Sequence, residues 1–226
     1  MRVNDDFHSR AIVRAAEQRW VPSPLPGVER VMLDRLGAER GRATSLVRYA
    51  QGSSFHAHAH PGGEEILVLQ GTFSDESGDY GPGWYLRHPP GSNHRPWSTE
   101  GALIFVKLWQ MPDNETCTVR TQTRDPSTWM RGSAVERCPL YASDAERVQL
   151  LSLPAGATFK PDTARGAELL VIEGGLAEAN ANANVYANLE QFSWVRLPHG
   201  DATLFTASPA GATLYLKTGH LAAPIR

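Results

Sequence analysis

Short runs of alternating apolar and polar positions fill most of this chain, a pattern typical of β-strands. In residues 42–49, Leu46 and Arg48 fall on one face of such a strand, and Val47 and Tyr49 fall on the other. Gly and Pro residues separate the runs and predict turns between them. The strand candidates of the first half are residues 29–35, 42–49, 55–60, 65–69, 71–75, 84–87, 94–97 and 102–108. The pattern therefore predicts an all-β fold of the sandwich or barrel type.

Two segments depart from this pattern. Residues 1–20 fit either a short amphipathic helix beginning near Asn4 or Asp5 or a strand over residues 10–14, and the strand is favoured. We treat residues 1–20 as an N-terminal arm that packs on a barrel edge or on a partner subunit. Residues 111–133 carry turn-forming residues without periodicity, which predicts a linker.

The second half of the chain repeats the first. Residues 65–71 (EILVLQG) match residues 168–174 (ELLVIEG), and residues 101–107 (GALIFVK) match residues 211–217 (GATLYLK). The offset drifts from 103 to 110 residues, as loop insertions would cause. We therefore expect two copies of one β-barrel unit, residues 21–110 and residues 134–226.

The candidate chemistry lies in the first copy. His56, His58 and His60 alternate with small residues, so a strand would place their imidazoles on one face. A Pro61–Gly–Gly turn then leads to Glu64, and a second turn over residues 89–91 leads to His94. Imidazole nitrogens and a carboxylate oxygen are suitable ligands for zinc, iron(II), manganese or nickel. The sequence therefore predicts a divalent metal site, and ligand type alone leaves the metal open.

The corresponding positions of the second copy carry none of these ligands. By the offsets, the residues that replace His58, His60, Glu64 and His94 are Pro161, Thr163, Ala167 and Thr203. The second barrel is therefore expected to bind no metal in this way, and His199 and His220 are expected at the surface or as capping groups.

Roles outside the ligand set are also predicted for several polar residues. His56 is expected behind the ligands or at the rim of the site, or as an alternative ligand if Glu64 dissociates. Glu65, on the opposite strand face from Glu64, is expected in a surface or inter-strand salt bridge. His88, beside Pro89, is expected in an exposed loop. Lys107 and Lys217 are expected either to face solvent or to place an ammonium group near the cavity.

Composition and charge narrow the function classes. The 226-residue chain has 22 Lys and Arg against 24 Asp and Glu, so its charge gives no basis for binding nucleic acid. Two separated cysteines, Cys117 and Cys138, favour a reducing, cytoplasmic setting over a disulfide scaffold. The N-terminus has no apolar signal segment, and no apolar run has transmembrane length.

The two motifs resemble those of the cupin superfamily. Gly52, His58, His60, Glu64 and Gly71 fit the first cupin motif, G-x5-H-x-H-x3-E-x6-G. The second motif, G-x5-P-x-G-x2-H-x3-N, is fitted by Gly83, Pro89, Gly91 and His94, with Ser98 in place of Asn. The resemblance implies two tandem cupin barrels of the double-stranded β-helix, or jelly-roll, type.

One branch of the superfamily is especially similar. Residues 20–30 (WVPSPLPGVER), 42–49 (RATSLVRY), 60–69 (HPGGEEILVL) and 73–76 (FSDE) resemble the cupin-like domain of ChrR-type anti-sigma factors. The resemblance implies zinc on His58, His60, Glu64 and His94. It also implies a sensor role in the response to singlet oxygen and organic peroxides.

The chain departs from that family at its N-terminus. The family's sigma-binding half is a separate helical domain with its own His and Cys zinc ligands, and residues 1–20 contain no such motif. Two functions remain open at this point. One is a metal-binding sensor or regulatory bicupin that acts with an oxidant or small-molecule signal and a separate regulatory protein. The other is a small metal-dependent cupin enzyme of the dioxygenase or isomerase type. We expect a homodimer in either case, because barrel sheets leave edges that a second chain can cover.

Overall fold

The computed structural model describes residues 1–37, 41–132, 134–179 and 187–222. The chain forms two compact units. The first comprises Met1–Asp5 and Arg19–Pro126, and the second comprises Asp6–Gln18 and the described residues from Ser127 to Ala222. The expected arm over residues 1–20 is thus divided between the units, and the expected linker over residues 111–133 contributes to both.

Strands form nearly all regular structure of the first half. In chain order they are β1 (Arg2–Val3), β2 (Ala11–Val13), β3 (Val21–Pro22), β4 (Val28–Leu36), β5 (Ala43–Tyr49), β6 (Ser53–Ser54), β7 (His58–His60), β8 (Glu64–Gly71), β9 (Phe73–Asp75), β10 (Gly78–Tyr80), β11 (Trp84–His88), β12 (Ser92–His94), β13 (Trp97–Ser98), β14 (Ala102–Leu108) and β15 (Val119–Gln122). A 3-10 turn, Ala15–Glu17, follows β2. The prediction of a strand rather than a helix near residue 12 is confirmed.

The first unit contains one large antiparallel sheet and two small ones. The large sheet has the order β1-β4-β5-β14-β8-β11-β15, with β3 beside β4. The small sheets have the orders β10-β9-β13-β6 and β12-β7. Ile66, Val68 and Ile104 of the large sheet form one buried cluster with Phe73 and Tyr80 of a small sheet. Apolar side chains from both sheets therefore close a barrel, since each strand directs alternate residues inward.

The second unit is built from the remaining strands together with β2. These strands are β16 (Glu136–Ala142), β17 (Arg147–Leu153), β18 (Thr158–Phe159), β19 (Ala167–Ala179), β20 (Ala187–Glu190), β21 (Trp194–Leu197) and β22 (Leu204–Thr218). A 3-10 turn, Pro126–Thr128, precedes them. Their sheet has the order β16-β17-β22-β19-β21-β2, with β18 beside β22 and β20 beside β19. The prediction of an all-β chain is confirmed.

Matching backbone hydrogen bonds support the internal repeat. The Gly91 amide donates to the His60 carbonyl at 2.9 Å, and the Gly200 amide donates to the Thr163 carbonyl at 3.0 Å. These pairs are the ones that the sequence offsets align. The second barrel therefore repeats the turns that surround the candidate ligands while lacking the ligands themselves.

No helix in the described part of the chain has the length and apolar character needed to cross a membrane.

Candidate metal centre

Two strand pairs bring the candidate ligands together. In the β7–β12 ribbon, His58 lies opposite His94, and His60 lies opposite Ser92. In the large sheet, Glu64 at the start of β8 lies opposite His88 at the end of β11. A tight turn joins β7 to β8, with the Gly63 amide donating to the His60 carbonyl at 3.1 Å. Gly63 has φ of 75°, which favours glycine, so the turn can deliver Glu64 close to the imidazoles.

Three donor atoms form a small triangle. His60 Nε2 lies 3.0 Å from His94 Nε2. Each of these nitrogens lies 3.4 Å from Glu64 Oε2. The three side chains are buried, with exposed fractions of 6–8%. Three polar atoms thus converge on one point inside the barrel.

His58 completes the group from the more open side. A nitrogen of His58 lies within 4.8 Å of nitrogens of His60 and His94. His58 Nδ1 donates a hydrogen bond to the His56 carbonyl at 2.8 Å. In the neutral ring this bond leaves Nε2 as the unprotonated nitrogen, available as a ligand. The structure therefore brings all four residues of the predicted ligand set together.

Asp75, at the end of β9, orients His94. Its Oδ2 lies 3.4 Å from His94 Nδ1, and the Asp75 carboxylate is 3% exposed. Burial lowers the pKa of His94, but the Asp75 hydrogen bond and the Glu64 charge outweigh burial and raise the pKa. A carboxylate behind a histidine in this way directs the other ring nitrogen toward a metal. The sequence analysis did not identify Asp75, although Asp75 lies on the same face of its strand as the core residue Phe73.

His88 is a correction to the sequence analysis, which expected it in an exposed loop. It ends β11, is 8% exposed, and its Nδ1 lies 3.3 Å from Glu64 Oε2. The strand continues one residue beyond its predicted end at Arg87. Because alternate residues of a strand face the same side, His88 points inward like Leu86 of the core cluster. His88, Glu64 and His94 form a second group of atoms within 4.8 Å of one another. His88 is therefore placed to hold the Glu64 carboxylate or to bind an ion itself.

The electrostatics favour an ionised Glu64 beside a neutral His60. Burial raises the pKa of Glu64, but His60, His88 and His94 outweigh burial and lower the pKa to about 2. Burial lowers the pKa of His60 to about 4, against the opposing charge of Glu64. Bare nitrogens and a carboxylate are the protonation states that a divalent ion requires.

The donor set fits a metal ion. Two facing ring nitrogens only 3.0 Å apart require a proton or a cation between them, because their lone pairs otherwise repel. Ligands around a tetrahedral ion, with bonds of about 2.0–2.2 Å, lie about 3.3–3.6 Å apart. The triangle edges of 3.0–3.4 Å are close to that range, and smaller edges suit octahedral coordination. The residues present therefore fit a zinc, iron, manganese or nickel ion.

The other predicted polar roles have mixed outcomes. His56 is exposed and lines the cavity described below, and Glu65 forms an inter-strand ion pair with Arg87 at 3.2 Å, as predicted. Lys107 and Lys217 are fully buried, so the alternative that they face solvent is wrong. Lys107 Nζ donates to Thr44 Oγ1 at 2.9 Å, and Lys217 Nζ pairs with Glu146 at 3.0 Å. These buried partners explain how each ammonium group tolerates an apolar strand.

In the second unit, an arginine lies where the first unit has its candidate site. Glu178 and Thr203 are the positions equivalent to Asp75 and His94, and Arg10 forms an ion pair with Glu178. Arg10 Nη1 also donates to Thr203 Oγ1 at 3.0 Å. His199 is exposed, as predicted. His220 is 4% exposed and lies 3.2 Å from Glu168, so of its two predicted positions the surface one is wrong. Within the described residues, groups of metal-ligating side chains occur only in the first unit.

A cavity of about 410 Å³ opens on the candidate ligands. His58, His60 and Glu64 line it on one side, and Val47, Tyr49 and Ile104 line it on another. Trp109 also lines the cavity. The volume of the cavity is within the usual range for small-molecule sites.

Comparisons with known proteins identify the fold. Residues 8–112 match the family model of the ChrR cupin-like domain. A candidate glyoxylate-induced protein from Pseudomonas aeruginosa is 13% identical, covers 96% of this chain and 91% of its own, and has a TM-score of 0.73. A search of curated proteins finds no match.

Two further solved structures are similar in fold. A protein from Nostoc punctiforme, named as a proposed dioxygenase, is 13% identical and covers 99% of this chain and 84% of its own, with a TM-score of 0.65. The bacterial pirin YhhW from Escherichia coli, in complex with nickel(II), is 12% identical and covers 92% of this chain and 98% of its own, with a TM-score of 0.67. At these identities the likeness establishes the fold alone.

Proposed function

We propose that this bicupin, whose residues 8–112 are a cupin domain of the ChrR type, binds a divalent metal ion and acts as a sensor or regulator in an anti-sigma-type stress response. His58, His60, Glu64 and His94 are the proposed ligands. The observation that carries the proposal is the buried triangle of His60, His94 and Glu64, closed by the nearby His58 nitrogen. The bound ion would supply positive charge and Lewis acidity at the end of the cavity.

The chain's own residues prepare this site. The His56 carbonyl and the Asp75 carboxylate hold the Nδ1 atoms of His58 and His94, so that the opposite nitrogens face the ion. His88 holds the Glu64 carboxylate by a similar contact. We propose zinc as the native metal, since four such ligands complete a tetrahedral site. Iron, manganese or nickel would leave coordination positions open.

The sensor role rests on the family match and on the missing ligands of the second barrel. One barrel then carries the chemistry, and the other is free to hold a separate regulatory protein. The signal proposed is an oxidant or a small molecule that reaches the metal through the cavity.

A second candidate function is a small metal-dependent enzyme of the dioxygenase or isomerase type. The cavity of about 410 Å³ beside the ligands favours it, because a structural ion needs no such space. The fold shared with a proposed dioxygenase is compatible with this function. Metal identity separates the sensor from a dioxygenase, since a dioxygenase requires a redox-active ion.

The first experiment is metal analysis of the protein purified without added metal. We expect one equivalent of zinc in the parent protein and its loss in His94→Ala. His199→Ala is the matched control, because His199 is exposed in the second unit and outside every candidate ligand group. Stoichiometric iron, manganese or nickel would favour the enzyme. Retention of metal in His94→Ala would contradict the ligand assignment.

We also propose a homodimer. Strand β15 ends its sheet and so offers an edge that a second chain can pair with. Light scattering should give twice the chain mass of 24.8 kDa, and a monomer mass would contradict the proposal.

A further inference from the structure

The cluster of candidate ligands contains one imidazole more than a zinc ion uses. His88 Nδ1 lies 3.3 Å from Glu64 Oε2. The Nε2 atoms of His60 and His94 each lie 3.4 Å from the same oxygen, and a nitrogen of His58 lies close to both rings. Four imidazoles and one carboxylate thus offer five donors, whereas a structural zinc ion is almost always held by four.

His88 has the position that a ligand requires. It forms a group with Glu64 and His94 in which the ligand atoms all lie within 4.8 Å of one another, and all three side chains are 6–8% exposed. The 3.3 Å between His88 Nδ1 and Glu64 Oε2 agrees with the spacing of two ligands around a tetrahedral ion, about 3.3–3.6 Å. Strand pairing places His88 directly opposite Glu64, so the sheet that holds the carboxylate also holds the fifth donor.

The imidazoles differ in how they face the cavity. His58 and His60 line it, whereas His88 and His94 are not among the described residues that do so. His58 is half-buried, and the other three rings are buried. His58 is therefore the ligand that a molecule in the cavity reaches most easily, and His88 lies on the protected side of the cluster.

We propose that His88 is a reserve ligand, which takes the place of His58 when His58 leaves the metal ion. One coordination bond breaks at His58 Nε2 and one forms at His88 Nδ1, so four ligands remain. Before the exchange, His88 Nδ1 carries the proton that it donates to Glu64. After the exchange that proton is on Nε2, having passed through water, and the ring is still neutral. The inference rests on the proposed metal site and gives it a means of keeping its ion while a signal acts on His58.

The test is a double-mutant cycle of zinc affinity, measured by competition with a chromogenic chelator. His58→Ala should retain one equivalent of zinc, because His88 completes the ligand set. His88→Ala should then lower the affinity at least about a hundredfold in the His58→Ala background, against about tenfold in the parent, where His88 only supports Glu64. His58→Ala with His199→Ala is the matched control and should bind zinc like His58→Ala alone, because His199 is exposed and belongs to neither ligand group.

Nitrogen NMR of the histidine side chains gives a second measurement that does not depend on affinity. In zinc-loaded His58→Ala, the ring proton of His88 should be on Nε2, with Nδ1 bound to the ion. In the zinc-loaded parent, the proton should be on Nδ1. A supporting role alone would leave the proton on Nδ1 in both proteins. The His88 signal is identified by its absence from the spectrum of His88→Ala.

The outcomes separate this inference from the proposed function. Equal effects of His88→Ala in the two backgrounds, loss of zinc from His58→Ala, or an Nδ1 proton on His88 in zinc-loaded His58→Ala would each overturn the reserve role and leave the proposed metal site intact. A parent protein that takes up no metal would refute both. Circular dichroism of each variant tests whether the β fold is retained, and if the double variant is unfolded, the NMR spectrum of His58→Ala decides the question.

Discussion

At the scale of single residues, the site depends on contacts behind the ligands. Asp75 and the His56 carbonyl each hold one ring nitrogen, and so they decide which nitrogen would face a bound ion. Supporting groups of this kind preorganise a site, because the ligand rings then lose little freedom on binding.

Replacement of Asp75 should weaken metal binding without removing it. We expect Asp75→Asn to lower metal affinity about 10–100-fold, because the carboxylate no longer fixes the ring of His94. Competition with a chromogenic chelator measures the effect. Asp79→Asn, on the neighbouring strand β10, is the control, since Asp79 contacts Ser74 rather than a histidine. Equal affinity of Asp75→Asn and the parent would refute the positioning role.

Replacement of His88 should distinguish holding Glu64 from binding the ion. We expect His88→Ala to retain one equivalent of metal with about tenfold lower affinity, because Glu64 loses one partner but remains a ligand. The chelator competition used for Asp75 also measures this change. Complete loss of metal, equal to that of His94→Ala, would make His88 a ligand instead.

In metal-free protein, His60 should resist protonation. Its folded-state pKa is about 4, against about 6.5 for an unfolded histidine, so between these values the unfolded chain binds more protons. The contribution of His60 to folding stability should therefore decrease as pH falls from 6.5 to 4. Urea unfolding of the parent and of His60→Asn over this range isolates that contribution. An equal pH dependence in both proteins would contradict the expected shift.

At the scale of elements, a glycine at the end of β8 allows the chain to pass close to Gly101, which precedes β14. Gly71 has φ of 66°, and a Cβ built there would meet the Gly101 carbonyl oxygen at 1.9 Å. Gly174 repeats this geometry in the second unit, with φ of 69° and a contact of 2.2 Å to the Gly211 carbonyl oxygen. This close approach explains why the first motif requires a glycine at its last position. The same tight turn occurs in both units.

Replacement of Gly71 should therefore cost more stability than replacement of a glycine with open surroundings. Gly71→Ala incurs about 1–2 kcal/mol for the left-handed backbone and a further cost for the backbone clash. Gly52→Ala is the control, since its φ is 74° but a Cβ there meets nothing within 4 Å. Urea unfolding should show a greater loss of stability for Gly71→Ala than for Gly52→Ala, and equal losses would mean that the clash is relieved.

At the scale of the whole molecule, only one of two similar units should respond to metal. A metal ion that binds only the folded unit raises its free energy of unfolding. This gain increases with the logarithm of the ratio of free metal concentration to the dissociation constant. Hydrogen exchange should therefore slow in residues 56–94 on metal addition and remain unchanged in residues 161–203. Slower exchange in both ranges would contradict confinement of the metal effect to the first unit.

The sequence predicted the part of this architecture that depends on fixed spacing. The two barrels, the convergence of His58, His60, Glu64 and His94, and the absence of their equivalents in the second copy all followed from short motifs and offsets. The inward positions of His88 and Asp75 were missed because they depend on strand register between distant segments. The pairing of β2 with β21 joins residues more than 180 positions apart, which no local pattern specifies.

The arginine in the second unit has a consequence for how the two barrels depend on their surroundings. Arg10 brings a positive charge to the Glu178 carboxylate from the chain itself, so this cation is covalently tethered and cannot dissociate. With a metal ion bound as proposed, a chelator would empty the first barrel but could not remove the side chain of Arg10. The first barrel would then hold an exchangeable cation and the second a permanent one, so only the first could respond to a change in metal supply.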